Sequence, residues 1–270
     1  MTSHPYERYV AVGDSQTEGL GDGDERQGYR GWADRLAEIL AVGHPDFTYA
    51  NLAVRGRLAE QVRDEQLGPA LELKPDLATV VAGVGDLVRP GYDAARTARA
   101  VEEMFAELTG AGARVVTVTF PDIGRIAPLA RRAQPRVIDL NARIRAAADR
   151  HGVLVLDLFP QRFTADPRLW SRDRTHASPV GHARIAAGVA DALGLTGYAD
   201  WARPLPAPAP VSALGGAAQE VRWFARAVAP WVRRRMSRVR LPGAAGGGRG
   251  GHSAKRPGLD AVTLPEPERA

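Results

Sequence analysis

Short apolar runs alternate along the first two thirds of the chain with longer stretches in which apolar residues recur at helical spacing. The runs predict strands at residues 9–12, 47–53, 77–82, 114–120 and 153–158. The helical spacing predicts helices at 32–40, 57–71, 93–110, 136–151 and 179–193. The run at 77–82 lacks any polar alternation, which is typical of a strand that is covered on both faces.

This alternation of strand and helix predicts an α/β fold. Right-handed crossovers between successive strands give a five-stranded parallel sheet with helices on both faces. Functional groups in such sheets gather at the carboxyl ends of the strands. Because Ser15, Gly56 and residues 83–86 each follow a predicted strand, we expect them to meet at one edge of the sheet.

The composition changes after residue 200 and predicts four segments. Residues 1–200 form the α/β domain, 201–216 a Pro/Ala-rich linker, 217–240 a basic amphipathic helical segment, and 241–270 a Gly- and Pro-rich tail without regular structure. Residues 1–200 hold 24 basic and 27 acidic side chains, whereas residues 201–270 hold 12 and 4. The net positive charge therefore belongs to the extension.

Two interpretations of the basic segment 217–240 remain open. Its apolar residues, including Trp223 and Trp231, can pack against the domain and leave the arginines in solvent. Alternatively, a basic amphipathic helix can associate with an anionic membrane surface. The tryptophans favour packing, because large apolar side chains seldom stay exposed. We expect no nucleic-acid partner, and nothing in the sequence predicts an oligomeric state.

Composition excludes several other classes of function. No uninterrupted apolar run approaches the ~18 residues of a membrane helix, and residues 1–8 lack the apolar core of a signal peptide, so we expect a cytoplasmic protein. The chain has no cysteine, and no histidine–carboxylate cluster has metal-site spacing, so we expect no metal. The Gly-rich residues 19–23 lack the Gly-Lys-Ser/Thr ending of a nucleotide-binding loop.

Two polar motifs at opposite ends of the domain supply the parts of an acyl-transfer site. Ser15 follows the first strand in the sequence Gly-Asp-Ser, and Asp173 precedes His176 by three residues. Either motif alone is also typical of a polar turn. Together they provide a hydroxyl nucleophile, a base and a carboxylate that can orient the base.

These motifs, in this order, resemble those of the SGNH or GDSL-type hydrolases. Residues 13–15 match the nucleophile block, although Gln16 replaces the usual leucine, and residues 51–56 look like the second block. Residues 173–182 match the last block. The resemblance implies a flavodoxin-like three-layer sandwich with an exposed, cofactor-free site. It also implies an oxyanion hole in which the backbone amides of Ser15 and Gly56 serve as donors.

The third block departs from the family pattern Gly-x-Asn-Asp. Residues 83–86 read Gly-Val-Gly-Asp, so Gly85 stands where the family has an asparagine that donates to the oxyanion. Removal of one such donor costs about 10²–10³ in kcat. Three explanations compete: another donor such as Gln16 or Asn51 substitutes, the enzyme is slow, or catalysis has lapsed and the fold binds an ester-like ligand.

The sequence therefore predicts a serine esterase or deacylase of low activity that acts on a small-molecule acyl ester through an acyl-enzyme. Ser15 is the predicted nucleophile, His176 the base and Asp173 its orienting acid. The alternative is a catalytically impaired hydrolase fold that acts as a binding or surface-associated module. Acetylated sugars, lipid esters and thioesters all fit the motifs equally well.

Overall fold

Five parallel strands form the centre of the protein. The computed structural model describes residues 6–26, 28–206 and 260–261. In chain order its strands are β1 (Arg8–Gly13), β2 (Gly23–Asp24), β3 (Gly28–Tyr29), β4 (Thr48–Asn51), β5 (Leu77–Val81), β6 (Arg114–Val118), β7 (Leu154–Leu156) and β8 (Asp260–Ala261). Its α-helices are α1 (Ser15–Glu18), α2 (Trp32–Ala41), α3 (Ala59–Glu72), α4 (Val84–Leu87), α5 (Ala94–Gly110), α6 (Ile123–Ile126), α7 (Gln134–His151) and α8 (Pro179–Ala192).

The main sheet has the strand order β7-β6-β5-β1-β4-β8, in which β7 through β4 are all parallel. Helices α3, α5 and α7 pack in sequence on one another, and α2 packs against α8. The prediction of an α/β sandwich with a five-stranded parallel sheet is confirmed. The strand order places β1 between β4 and β5, where the order of the strands reverses. Flavodoxin-like sheets bind ligands at such a topological switch point.

The central strand β1 lies deepest in the core. Residues 9–12 are all fully buried, and Tyr9 stacks on Tyr49 of the neighbouring strand β4 at a ring distance of 5.0 Å. The hydroxyl of Tyr9 meets that of Thr79 in β5 at 2.8 Å, so its polar end is satisfied inside the sheet. This packing fixes the position of the carboxyl end of β1, where Ser15 follows.

The five long helices begin and end within about two residues of the predicted limits. Several of these ends have recognisable capping residues. The Asp93 side chain accepts hydrogen bonds from the first amides of α5, and Ser178 caps α8 just before Pro179. Helix α7 ends at Gly152, whose φ of +63° is costly for any other residue. The four-residue helices α1, α4 and α6 were not predicted, because one turn is too short to show a periodic pattern.

Most of the C-terminal extension lies outside the described residues. This applies to the predicted basic segment 217–240, to the linker 201–216 beyond residue 206, and to the predicted tail 241–270 apart from β8. Strand β8 pairs antiparallel with Thr48–Tyr49 at the edge of the sheet. Within the described parts of the chain, no helix has the length and hydrophobicity needed to cross a bilayer.

Candidate active site

Ser15 is the first residue of α1 and follows the carboxyl end of β1 directly. Asp14 caps this short helix, because its Oδ1 accepts a hydrogen bond from the Gln16 amide at 3.0 Å. Gly13 has to be glycine for a steric reason, since a Cβ would lie 2.4 Å from Thr17 Oγ1 and 2.6 Å from the Val81 carbonyl oxygen. The strand therefore turns sharply into the helix and leaves Ser15 only partly buried at the sheet edge.

Gln66 holds the backbone just before the candidate nucleophile, a role that we did not predict. Its Oε1 accepts from the Gly13 amide and its Nε2 donates to the Gly13 carbonyl, both at 2.9 Å. Gln66 is almost fully buried on α3. Its position on the same buried face as Val62 and Ala70 is the sequence signal that could have identified it, because a glutamine there needs a buried partner.

The candidate base approaches from a tight loop before α8. His176 Nε2 lies 2.9 Å from Ser15 Oγ, and His176 Nδ1 lies 2.7 Å from Asp173 Oδ2. The loop is closed by a hydrogen bond from the Ser171 amide to the His176 carbonyl at 2.8 Å, and Arg174 adopts a left-handed φ of +54° within it. The structure thus brings together all three predicted residues, with the distances that a nucleophile–base–acid relay requires.

The carboxylate of Asp173 accepts several hydrogen bonds. Its Oδ1 accepts hydrogen bonds from the Ser171 hydroxyl at 2.6 Å and from the amides of Thr175 and His176 at 2.8 and 3.0 Å. Partial burial opposes ionisation, but the hydrogen bonds from His176 and Ser171 lower the pKa of Asp173 well below its usual range. The acid is therefore ionised at neutral pH and accepts the Nδ1 proton of His176.

The two residues considered as substitute oxyanion donors are both bound to backbone carbonyls. Gln16 Nε2 donates to the Thr175 carbonyl at 3.0 Å, which links α1 to the loop that carries His176. Asn51 Nδ2 donates to the Thr17 carbonyl at 3.0 Å, while its Oδ1 accepts from the Ala53 amide. Each side chain therefore makes a structural contact within the site, with the backbone of the His176 loop or of α1.

Gly56 and Gly85 follow β4 and β5, the two strands that flank β1. Gly56 has a φ of +78°, a conformation that favours glycine, and nothing lies within 4 Å of a Cβ built on it. Gly85 lies in α4 without a positive φ, and a Cβ there would meet only Leu58 Cδ2 at 3.6 Å and the Arg57 carbonyl oxygen at 3.7 Å. A Cβ at position 85 would therefore make only ordinary van der Waals contacts, so neither sterics nor backbone conformation requires glycine there.

An ion pair joins the end of α1 to the loop that contains Gly56. The Glu18 carboxylate accepts from the Arg55 amide at 2.6 Å and from Arg55 Nη2 at 2.8 Å. The same guanidinium bonds Glu25 and lies over the ring of Tyr29. Glu18 thus fixes the residue just before Gly56, a contact that we did not predict.

Asp14 and His182 are two buried titratable groups close to the candidate site. Burial raises the pKa of Asp14 to about 7, and the Asp86 carboxylate adds to this shift whereas His176 opposes it. Asp14 Oδ2 is buried without a hydrogen-bond partner among the described residues. Burial lowers the pKa of His182 to about 4, so this imidazole is neutral at pH 7.

The neutral His182 connects α8 to the start of α2 and to the segment that follows α1. Its Nδ1 accepts from the Trp32 amide and its Nε2 donates to the Leu20 carbonyl, both at 3.1 Å. Both ring nitrogens are therefore used in hydrogen bonds to the backbone. Across residues 6–26 and 28–206, no group of three or more His, Asp or Glu is arranged to hold a metal ion.

The sequence matches the description "GDSL-like Lipase/Acylhydrolase family" over residues 11–184, which is more than half of the chain. The chain belongs to this family. The match spans Ser15, Gly56, Gly85, Asp173 and His176, and membership supports a hydrolase activity. A search of curated protein sequences gives no significant match.

Several solved structures share the fold. A lipase/acylhydrolase from Enterococcus faecalis is 22% identical with a TM-score of 0.56, covering 75% of this chain and 100% of its own. A catalytic mutant of an acetylxylan esterase from Geobacillus stearothermophilus is 16% identical with a TM-score of 0.60, covering 76% and 100%. An α/β hydrolase from the metagenome of Lake Arreo, Spain, is 20% identical with a TM-score of 0.58, covering 70% and 95%. At these identities the likeness establishes the fold.

Proposed function

We propose that the protein is a serine hydrolase that cleaves carboxylic esters through a Ser15–His176–Asp173 triad and a covalent acyl-enzyme. The observation that supports this most directly is the continuous pair of contacts from Ser15 Oγ to His176 Nε2 (2.9 Å) and from His176 Nδ1 to Asp173 Oδ2 (2.7 Å). Membership of the GDSL-like lipase/acylhydrolase family supports a hydrolase activity.

In the proposed reaction, His176 Nε2 takes the Ser15 hydroxyl proton while Oγ attacks the ester carbonyl carbon. The tetrahedral intermediate collapses with cleavage of the bond to the alkoxy oxygen, and the alcohol leaves with the proton from His176. Water then adds to the acyl-enzyme with His176 again as base, which releases the acid and regenerates Ser15. Ionised Asp173 holds the imidazole in the required tautomer and stabilises the imidazolium.

The oxyanion of each tetrahedral intermediate would be held by the backbone amides of Ser15 and Gly56. Gly85 offers no side-chain donor, and Gln16 and Asn51 already donate to backbone carbonyls. We therefore propose a weakened oxyanion hole and a correspondingly low kcat, since one donor contributes about 10²–10³ in rate.

The decisive experiment is covalent labelling with a fluorophosphonate probe, combined with hydrolysis of short p-nitrophenyl esters. We expect the wild-type chain to be labelled at Ser15 and to turn over the esters. Ser15→Ala should lose both the label and the turnover. Ser178→Ala is the matched control, because Ser178 caps α8 just after the catalytic loop without contacting His176, and it should keep the label.

Equal ester turnover by wild type and Ser15→Ala would refute Ser15 as the nucleophile. A folded wild-type chain that is neither labelled nor active would favour the alternative of a catalytically impaired binding protein.

A further inference from the structure

Gln66 completes the hydrogen bonding of β1 at the point where the neighbouring strand β4 leaves it. The register of β4 with β1 ends at the pair Ala11–Asn51, and the Leu52 amide makes the next bond, to the Ala11 carbonyl at 2.9 Å. Strand β1 continues beyond this point to Gly13. There the side-chain amide of Gln66 takes the place of a strand peptide, because it accepts from the Gly13 N–H and donates to the Gly13 C=O, both at 2.9 Å.

The backbone at Gly13 needs such an external clamp. Steric contacts exclude a side chain at this position, and glycine restricts its own backbone less than any other residue. A further bond, from the Val54 amide to the Gly13 carbonyl, is longer, at 3.3 Å. The two bonds to Gln66 therefore help to fix the direction in which the chain leaves β1 for Ser15.

The helix that carries Gln66 also follows directly on the loop of the second proposed oxyanion donor. Gly56 lies just before α3, whose first residue is Ala59. The Ala59 amide donates to Asp86 Oδ2 at 3.1 Å, which fixes the start of the helix. Gln66 lies about two turns further on, on the buried face. One helix thus connects the Gly56 loop to the end of the strand that precedes Ser15.

The proposed oxyanion hole depends on the relative position of these two segments. Because Gly85 offers no side-chain donor, the backbone amides of Ser15 and Gly56 would share the charge of the oxyanion. Such donors are effective when they lie about 2.7–3.1 Å from the oxyanion. A displacement of about 1 Å in an active site can cost about 10²-fold in rate. A contact that holds the two segments together would therefore affect kcat, even though its side chain is buried.

We infer that Gln66 is a positioning residue, which sets the spacing of the Ser15 and Gly56 amides by joining α3 to the end of β1. The inference rests on the proposed ester hydrolysis, and it assigns the geometry of the oxyanion hole to a side chain outside the motif blocks. The bound ester carries no oxyanion, so the contribution of Gln66 is realised in the transition state. Its loss should lower kcat and leave KM nearly unchanged.

A matched contact elsewhere in the sheet provides the control. Asn141 on α7 accepts from the Phe120 amide at 2.9 Å and donates to the Phe120 carbonyl at 2.7 Å, and it is fully buried. It therefore holds the backbone just after β6 in the same way as Gln66 holds the end of β1. None of the residues of the proposed triad or oxyanion hole lies on β6, on α7 or between them.

The experiment compares Gln66→Met with Asn141→Leu, in which an apolar side chain of similar size replaces the amide. Both variants should unfold at a lower urea concentration than wild type, since each leaves buried backbone groups without their partners. All assays are run where urea unfolding shows the proteins to be folded. For p-nitrophenyl acetate, kcat should fall about 30- to 100-fold in Gln66→Met and by less than about threefold in Asn141→Leu, with KM within about threefold of wild type in both.

Gln66→Glu supplies a readout that a loss of stability alone would not give. A protonated carboxyl can restore both bonds, because its C=O accepts from the Gly13 amide and its O–H donates to the Gly13 carbonyl. An ionised carboxylate keeps the first bond and repels the carbonyl oxygen. The ratio of kcat in this variant to kcat in wild type should therefore rise about tenfold as the pH falls from about 8 to about 5.5, since burial favours the protonated form. The corresponding ratio for Gln66→Met should not change with pH.

Equal losses of kcat in Gln66→Met and Asn141→Leu would overturn the inference, because the loss would then follow stability. A kcat in Gln66→Met within about threefold of wild type, or a loss confined to KM, would overturn it as well. If Gln66→Met does not fold, Gln66→Glu decides, and a ratio that is constant with pH would reject the inference. In each of these cases wild type would still hydrolyse the ester and take the fluorophosphonate label. A wild-type chain that does neither would overturn the proposed function itself.

Discussion

The two halves of the candidate active site are built in different ways. On the side of the proposed triad, the side chains of Ser15, His176 and Asp173 are joined to one another by hydrogen bonds. Asp173 also accepts from Ser171 and Thr175, and Gln16 ties α1 to the loop that carries His176. On the side of the oxyanion hole, the proposed donors are backbone amides, and position 85 carries no side chain at all.

This difference separates two requirements of acyl transfer. The relay needs side chains of defined ionisation and orientation, and the loop supplies both. Stabilisation of the oxyanion needs donors that point to one place, and backbone amides provide these whichever side chains surround them. A chain can therefore lose a side-chain donor such as the asparagine of the third block while the relay stays intact.

The largest effect should come from breaking the triad side at its acid. Asp173→Asn would place an amide N–H against His176 Nδ1 or force the wrong imidazole tautomer, and kcat at pH 7 should fall about 10⁴-fold. The control is Asp166→Asn, an aspartate in the preceding loop that caps a short turn and pairs with Arg168 but does not touch His176. It should stay within twofold, and a loss of less than tenfold in Asp173→Asn would exclude a relay.

The next largest effect should be on stability, because two buried titratable groups beside the candidate site, His182 and Asp14, should change the free energy of unfolding with pH in opposite directions. His182, with a pKa of about 4, loses stabilisation as the pH falls from 6.5 towards 4, by roughly 3 kcal/mol. Asp14, with a pKa raised to about 7, loses stabilisation as the pH rises from 3.8 towards 7, by roughly 4 kcal/mol.

Urea unfolding of Asp14→Asn and His182→Gln between pH 4 and 7 checks these signs. Relative to wild type, the free energy of unfolding of Asp14→Asn should rise with pH, and that of His182→Gln should fall. Differences that do not vary with pH would show that neither group titrates differently on unfolding.

A smaller effect should come from repairing the oxyanion side. Gly85→Asn adds the amide that the family pattern contains, at a position where a Cβ meets only ordinary van der Waals contacts, and should raise kcat for p-nitrophenyl acetate about 10- to 100-fold. Gly85→Ala is the control, because it makes the same backbone change without a donor and should give no gain. If Asn performs no better than Ala, some other group already serves the oxyanion.

The fold could be predicted from the sequence because its long elements carry strong periodic signals. Runs of apolar residues defined all five parallel strands, and the helical spacing of apolar residues defined the five long helices. The order of strands in the sheet depends on contacts between distant segments, which periodicity does not contain. It came from the family resemblance and the structure.

Within the candidate site, the sequence predicted only the residues that belong to a recognisable catalytic motif. Ser15, Asp173 and His176 were identified by residue type and spacing. The contacts of Gln66 with Gly13 and of Glu18 with Arg55 span 53 and 37 residues, and they exist only because the strands adopt one register. Gln16 and Asn51 were plausible donors by type, and only their bonds to Thr175 and Thr17 show how each amide is used.

The smallest effect expected is on the positioning of the Gly56 loop. Glu18→Ala removes the acceptor of both the Arg55 amide and its guanidinium, so the Gly56 amide should lose its fixed orientation and kcat should fall about tenfold. Arg55→Ala keeps the amide bond and should cost only about threefold, in line with the modest value of partly exposed ion pairs. The Glu102–Arg150 pair on the outer helices α5 and α7 has the same two-pronged geometry, and Glu102→Ala should leave kcat unchanged. If Glu18→Ala raises KM at constant kcat, or costs no more than Arg55→Ala, the Glu18 bond to the backbone does not position the oxyanion donor.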